Sequence, residues 1–169
     1  INYFDMKKLL LLLIAIATFT MASAQKAETV VENYKSKGQY VPVDKSTITM
    51  MLPVLKQQLP EAQYKAMEGP LKKMDSLQRL VFGPGKDDVY QAFQNDILSL
   101  LNNGYERKDM QPEEGNSPVC IIKTENGLLK EVVICDKGTP ETGAVMMFMK
   151  GEFSSDDIDA LSNLSSGLM

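Results

Sequence analysis

The N-terminal segment decides which part of this chain has to fold. Lys7 and Lys8 precede an unbroken apolar run over residues 9–17, and the small residues of Ala22-Ser23-Ala24 stand before Gln25. A charged start, an apolar middle and a small-residue cleavage site are typical of a secretory signal peptide. The apolar run is roughly half the ~20 residues that a membrane-spanning helix needs, so we expect cleavage and no stable membrane span afterwards.

This pattern divides the chain into two parts and predicts its location. We expect the first part, residues 1–24, to hold upstream residues and the signal peptide, and residues 25–169 to form one domain in the periplasm or outside the cell. The whole chain has 18 Lys and Arg against 22 Asp and Glu, a net charge of −4. Since it has no dense Lys/Arg stripe to neutralise phosphates, we expect no nucleic-acid partner.

Helical and strand periodicities alternate along the rest of the chain. Helical spacing predicts helices over residues 26–37, around 46–59 with a kink or restart at Pro53, from Pro60 to Gly69-Pro70, from Asp87 or Asp88 to Asn103-Gly104, and from Ser154, where Asp157 completes a capping box. Strand patterns predict strands over residues 39–43, 76–82, 119–124, 130–135 and 143–150, the last of them a nearly continuous apolar run suited to a central strand. The charged segment over residues 105–110 is predicted to be an edge strand. This order predicts an α+β fold: an antiparallel sheet with helices packed on one face, broadly ferredoxin-like, with extra N-terminal helices.

The two cysteines, Cys120 and Cys135, lie in the two strands of a predicted hairpin. In an exported chain an even number of cysteines commonly pairs, so a disulfide is plausible. If Glu125 lies opposite Lys130, the cysteines are also opposite each other, and this register pairs unlike charges. A two-residue Asn126-Gly127 turn instead separates the cysteines by two positions. Two buried free thiols are the alternative to a bridge.

The chain has no histidine, which removes the usual general base and the commonest transition-metal ligand. Gly83-Pro84-Gly85-Lys86 matches only part of a phosphate loop, because Leu80 stands where a glycine is needed and Asp87 follows the lysine. We therefore predict no catalytic residue, no cofactor and no metal site. The other side chains that could act in catalysis or bind a metal are explained by structural roles in a loop, a helix cap or the core. They are Glu113, Glu114, Asp156, Asp157, Asp159, Met146, Met147 and Met149.

The tripeptide Asp75-Ser76-Leu77 resembles the O-glycosylation signal of exported Bacteroidota proteins, which makes Ser76 a candidate modification site. The same tripeptide also arises by chance, and Ser76 falls at the start of a predicted strand.

The layout as a whole resembles an exported Bacteroidota family catalogued as domain of unknown function 4252. The resemblance rests on Ala22-Ser23-Ala24-Gln25, on a helix near Val31-Glu32-Asn33-Tyr34, and on the strand over residues 77–82 before a helix. The closest part is the final strand, Met146-Met147-Phe148-Met149-Lys150-Gly151-Glu152-Phe153, leading into residues 154–164. The family implies no established active site, so it assigns no catalytic residue to this chain.

These observations predict an exported, non-enzymatic binding module of the bacterial cell envelope, with an unidentified envelope protein or glycan as partner. The predicted contact is the sheet edge around Tyr105, Arg107 and Lys108, where a partner strand can add. Two alternatives stay open: an exported hydrolase of unfamiliar type that uses acidic residues, and an accessory protein linked to envelope stress or a sigma factor.

Overall fold

A computed structural model of the chain describes residues 25–110, 118–158 and 160. The predicted signal peptide, the loop acids Glu113 and Glu114, Asp159, and most of the last predicted helix lie outside the described residues. The helices are α1 (Ala27–Tyr34), α2 (Lys45–Gln58), α3 (Glu61–Lys73) and α4 (Asp87–Ser99), the last followed by a 3₁₀ turn over Leu100–Asn103. The strands are β1 (Gln39–Asp44), β2 (Met74–Phe82), β3 (Glu106–Lys108), β4 (Val119–Glu125), β5 (Leu128–Asp136) and β6 (Ala144–Phe153).

The six strands form one antiparallel sheet in the order β1-β2-β6-β5-β4-β3. This confirms the predicted α+β class and the central position of the last strand. The chain order is not the β-α-β-β-α-β pattern of a ferredoxin-like fold, because β3 to β6 follow one another as neighbouring antiparallel strands. The ferredoxin-like expectation is therefore wrong in topology, although the class is right.

Helices cover both faces of the sheet, which corrects the prediction that they gather on one face. On the α1/α4 face, Leu80, Phe82 and Phe148 of the sheet pack with residues of both helices. On the α2/α3 face, Met147 and Met149 pack with residues that include Ile48 of α2 and Leu71 of α3. The physical reason lies in β6, where Ala144 to Met149 are all buried, so each successive side chain needs cover on the opposite face.

Both internal prolines lie within helices, so the restart predicted at Pro53 and the helix end predicted at Gly69-Pro70 do not occur. Pro53 lies inside a single α2, and α3 continues through Pro70 to Lys73. The N-cap of α2 is Asp44, whose side chain accepts a 2.8 Å hydrogen bond from the backbone N–H of Thr47. These two helices pack on each other, and α2 also packs on β1 and β2.

Candidate functional site

The two cysteines are free and buried, and they lie on opposite faces of the sheet. Cys120 is opposite Ile134, and Cys135 is opposite Val119, so neither faces the other across the hairpin. Of the two alternatives that the sequence left open, the disulfide is therefore wrong and the pair of buried free thiols is confirmed. Burial raises the pKa of the Cys120 thiol to about 12 and raises that of Cys135 as well, so both thiols stay protonated and unreactive at neutral pH.

The hairpin register explains why the bridge is impossible. Asn126 and Gly127 both have positive φ and form the two-residue turn, which places Glu125 opposite Leu128. One residue of β5, Lys130, then has no opposite residue on β4, because Lys123 pairs with Glu131 and Thr124 with Leu129. This bulge shifts the register by one residue, which turns the two cysteines to opposite faces.

Ser76 lies in β2, between Asp44 of β1 and Lys150 of β6, and is half-buried. The neighbouring Asp75 forms a 2.7 Å ion pair with Lys45. The proposed O-glycan at Ser76 stays a prediction that needs mass analysis of the protein from its own cells.

The predicted partner edge, β3, has three residues, and all three pair with β4, opposite residues 120–122. Tyr105 is buried before the strand begins, and its hydroxyl bonds to Glu131 and to the backbone N–H of Ala27. Arg107 is exposed and Lys108 is half-buried at this edge. Because Tyr105 is buried, only Arg107 and Lys108 of the predicted contact residues are accessible to a partner. A short, charged edge strand is a poor template for an added strand, which makes strand addition at this edge unfavourable.

The acidic residues form no candidate metal centre within the part of the chain that the structure describes. Asp157 instead forms half of the predicted capping box, since its Oδ2 accepts a 2.7 Å hydrogen bond from the backbone N–H of Ser154. In place of the reciprocal bond, Ser154 Oγ donates to the same Oδ2 at 2.9 Å, and the backbone N–H of Asp157 bonds to the carbonyl oxygen of Ser154. The same oxygen accepts a 2.7 Å bond from Lys73 Nζ. This carboxylate joins the end of α3 to the turn after β6.

An exposed apolar surface on α2 is the feature that sequence reasoning missed. Met50, Met51 and Val54 keep 66%, 43% and 50% of their surface exposed, while Ile48 of the same helix is buried. Helical geometry places the three exposed side chains within about 100° of arc, so they form one continuous surface. We call Met50, Met51 and Val54 the α2 flank.

The α2 flank faces away from α3. Lys45 and Lys56 are about three turns apart and therefore share the other side of the helix. Lys45 pairs with Asp75, and Lys56 interacts electrostatically with Glu68 of α3. The charged side of α2 thus faces its neighbours, and the apolar flank lies on the outer side.

The sheet edge beside α2 adds apolar surface. Val43 of β1 packs with the α2/α3 face, and Val41, two residues earlier, projects to the same side and is 37% exposed. Strand addition at β1 is hindered because Pro42 lacks a backbone N–H, and proline within a sheet is confined to positions where the absent donor faces outward. The side chains, and not the backbone of this edge, are therefore available to a partner.

The signal that points to this surface is present in the sequence. Residues 46–55 contain no charged residue, although 24% of the chain is charged. They hold more apolar residues than one buried face of a helix can accommodate. Depletion of charged residues and enrichment in methionine are typical of the centre of a protein interface.

A search of protein-family models, curated proteins and solved structures finds no match to this chain. The resemblance to the exported family of unknown function therefore stays a prediction. None of the helices in the described ranges has the length and hydropathy that a bilayer crossing requires.

Proposed function

We propose that this chain is an exported, non-enzymatic binding module of the bacterial cell envelope, and that the α2 flank is its contact surface. The observation that carries the proposal is the flank itself: three adjacent apolar side chains exposed on a helix whose outer side has no charge. Surfaces of this kind mark interaction sites when they are contiguous and bordered by polar residues. Here the border includes Thr49, Gln57 and Gln58, all exposed.

The partner we infer is an amphipathic helix of another envelope protein that presents an uncharged apolar face. The flank is uncharged, so it complements a neutral surface and offers no attraction to an acidic or basic one. It also covers little more than one turn of α2, which suits the apolar anchors of a single amphipathic helix. The flank is smaller than the area of about 800 Å² that each partner contributes to a standard stable interface, so the contact we propose is a small, transient one. A glycan needs several hydrogen-bonding groups, which the flank lacks.

The test is site-specific crosslinking in intact cells. A photo-crosslinking amino acid replaces Val54 in the full chain, and matched controls carry it at Gln63 on the exposed surface of α3 and at Arg107 on β3. We expect one envelope protein to crosslink at position 54 and not at position 63, with the attachment point in an apolar segment of that protein. The yield should be the same at low and high salt, since the contact has no charge to screen.

Three results contradict the proposal. Crosslinking only at position 107 transfers the contact to the β3 edge. A crosslink at position 54 to a second copy of this chain makes the flank a dimer contact. No crosslink at position 54 in folded, exported protein removes the flank as a binding surface.

A further inference from the structure

The methionine and cysteine residues that the structure describes differ sharply in exposure to solvent. Met50 and Met51 are exposed on α2, whereas four core methionines are at most 1% exposed: Met74, Met146, Met147 and Met149. Met67 and Met110 are half-buried against the α2/α3 face. Both cysteines are buried as well.

Access decides which of these sulfurs reacts with a small oxidant. A thioether is neutral at every pH, so its oxidation is limited by contact with the oxidant, whereas a thiol must first lose its proton. Cys120 and Cys135 are both buried and protonated at neutral pH. Among the described residues, the two methionines of α2 are therefore the most exposed thioethers, and they need no prior ionisation.

We propose that Met50 and Met51 form an oxidation site of the folded protein, with peroxides as the oxidant, and that their conversion to sulfoxides switches off the α2 flank. In each step the thioether sulfur gains one oxygen and is oxidised by two electrons, the O–O bond of hydrogen peroxide breaks, and water leaves. The switching part rests on the proposed function. The oxidation part rests on the exposure of the two methionine residues alone.

A sulfoxide at these positions changes the surface without unfolding the chain. It places a polar S=O group in the middle of an apolar contact, where a partner helix supplies no hydrogen-bond donor. The buried residue of α2, Ile48, and the half-buried Leu52 and Leu55 hold the helix on the sheet and are untouched. Methionine sulfoxide is enzymatically reducible, so the change is reversible.

The first experiment maps oxidation in the protein purified from its cells. The protein is exposed to graded hydrogen peroxide, the reaction is quenched with free methionine, and each sulfoxide is located by peptide mass spectrometry. We expect Met50 and Met51 to oxidise faster than Met146, Met147 and Met149 by about tenfold or more, since packed interiors exclude the oxidant. In guanidinium the same methionines should oxidise at similar rates. Equal rates in the folded protein overturn the oxidation site.

The second experiment tests the switch with the crosslinker at position 54. Peroxide should abolish the crosslink in the native sequence and leave it intact in a Met50→Leu/Met51→Leu variant, which has similar side-chain volume and no oxidisable sulfur. A crosslink that survives complete oxidation of Met50 and Met51 overturns the switch and leaves the contact surface standing. Absence of the crosslink before oxidation contradicts the proposed function and overturns the switch with it, and the oxidation site is then judged on the first experiment.

Discussion

The Tyr105 hydroxyl donates a 2.5 Å hydrogen bond to Glu131 and accepts a 3.1 Å bond from the backbone N–H of Ala27. One buried side chain thus ties the first turn of α1 to β5. Burial raises the pKa of Tyr105, and its bond to Glu131 raises it further, so the hydroxyl keeps its proton at physiological pH.

We expect Tyr105→Phe to lower the free energy of unfolding by about 1–3 kcal/mol, because the buried N–H of Ala27 loses its acceptor. Urea denaturation followed by circular dichroism measures the change. Tyr40→Phe is the matched control, since Tyr40 bonds to Gln78 at 3.1 Å in a more accessible setting and should lose less. Equal losses in the two variants contradict a bracing role for Tyr105.

The buried cysteines give a second prediction. We expect the folded protein to show two free thiols by intact mass and no reaction with a thiol reagent such as Ellman's reagent, because both sulfurs are covered. Both should react at once in guanidinium. A mass that indicates a disulfide in the folded protein contradicts the register of β4 and β5.

The structure of the cysteine hairpin is only partly predictable from the local sequence. The Asn126-Gly127 turn is readable from the sequence because both residues adopt positive φ easily. The bulge at Lys130 is not readable, because it depends on β6 as well: β5 also changes register against β6 between Leu129 and Glu131. A turn thus predicts pairing for a few residues only, and one extra residue then reverses every side chain beyond it.

The error about helix placement has a different cause. The apolar run of β6 correctly predicts a central strand, and the same run already requires that both faces be covered. The order of the elements along the chain does not by itself place a helix on one face or the other. Connections do not specify the face, whereas the burial of Phe148 on one side and Met147 and Met149 on the other does.

The candidate surface is partly visible in the sequence. The charge-free stretch over residues 46–55 is plain, but its apolar residues are compatible with a fully buried helix. Only the packing separates Ile48, which is buried, from Met50 and Val54, which are exposed. The exposure of Met50 and Val54 is decided by the packing of α2, whose flank faces away from α3.

Asp157 makes a pH-dependent contribution to stability. Burial raises the pKa of its carboxyl, but the hydrogen bonds from Lys73 and Ser154 outweigh that effect, and its pKa lies below the ordinary value. A lowered carboxyl pKa stabilises the folded state above the unfolded pKa of about 3.9, and this stabilisation is lost as the pH falls through the folded value.

We therefore expect Asp157→Asn to destabilise the protein by about 1–2 kcal/mol at neutral pH and by progressively less as the pH falls below about 4. Denaturant unfolding of both proteins across this range measures the difference. Lys73→Met should reduce the same pH dependence, because it removes the charged donor. A difference that stays constant with pH assigns the effect to packing and not to the ionised carboxylate.

Two glycines give opposite predictions for the same substitution. A Cβ on Gly151 would lie 2.4 Å from the carbonyl oxygen of Lys73, whereas a Cβ on Gly69 meets nothing within 4 Å. Gly151→Ala must therefore push β6 away from the start of β2, at a cost of about 1–3 kcal/mol. Gly69→Ala, inside α3, should stabilise the fold by about 0.5–1 kcal/mol, because alanine loses less backbone freedom on folding.

Thermal and urea unfolding of these two variants and the parent protein test the pairing of β2 with β6 directly. The Gly69 variant reports the general effect of alanine in this chain. The difference in the free energy of unfolding between the two variants therefore isolates the effect of the close contact at Gly151. If Gly151→Ala is as stable as the parent, the register that places Met74 opposite Gly151 is wrong. Because that register also sets which methionines of β6 face α2 and α3, the same result would contradict the packing of the α2/α3 core as well.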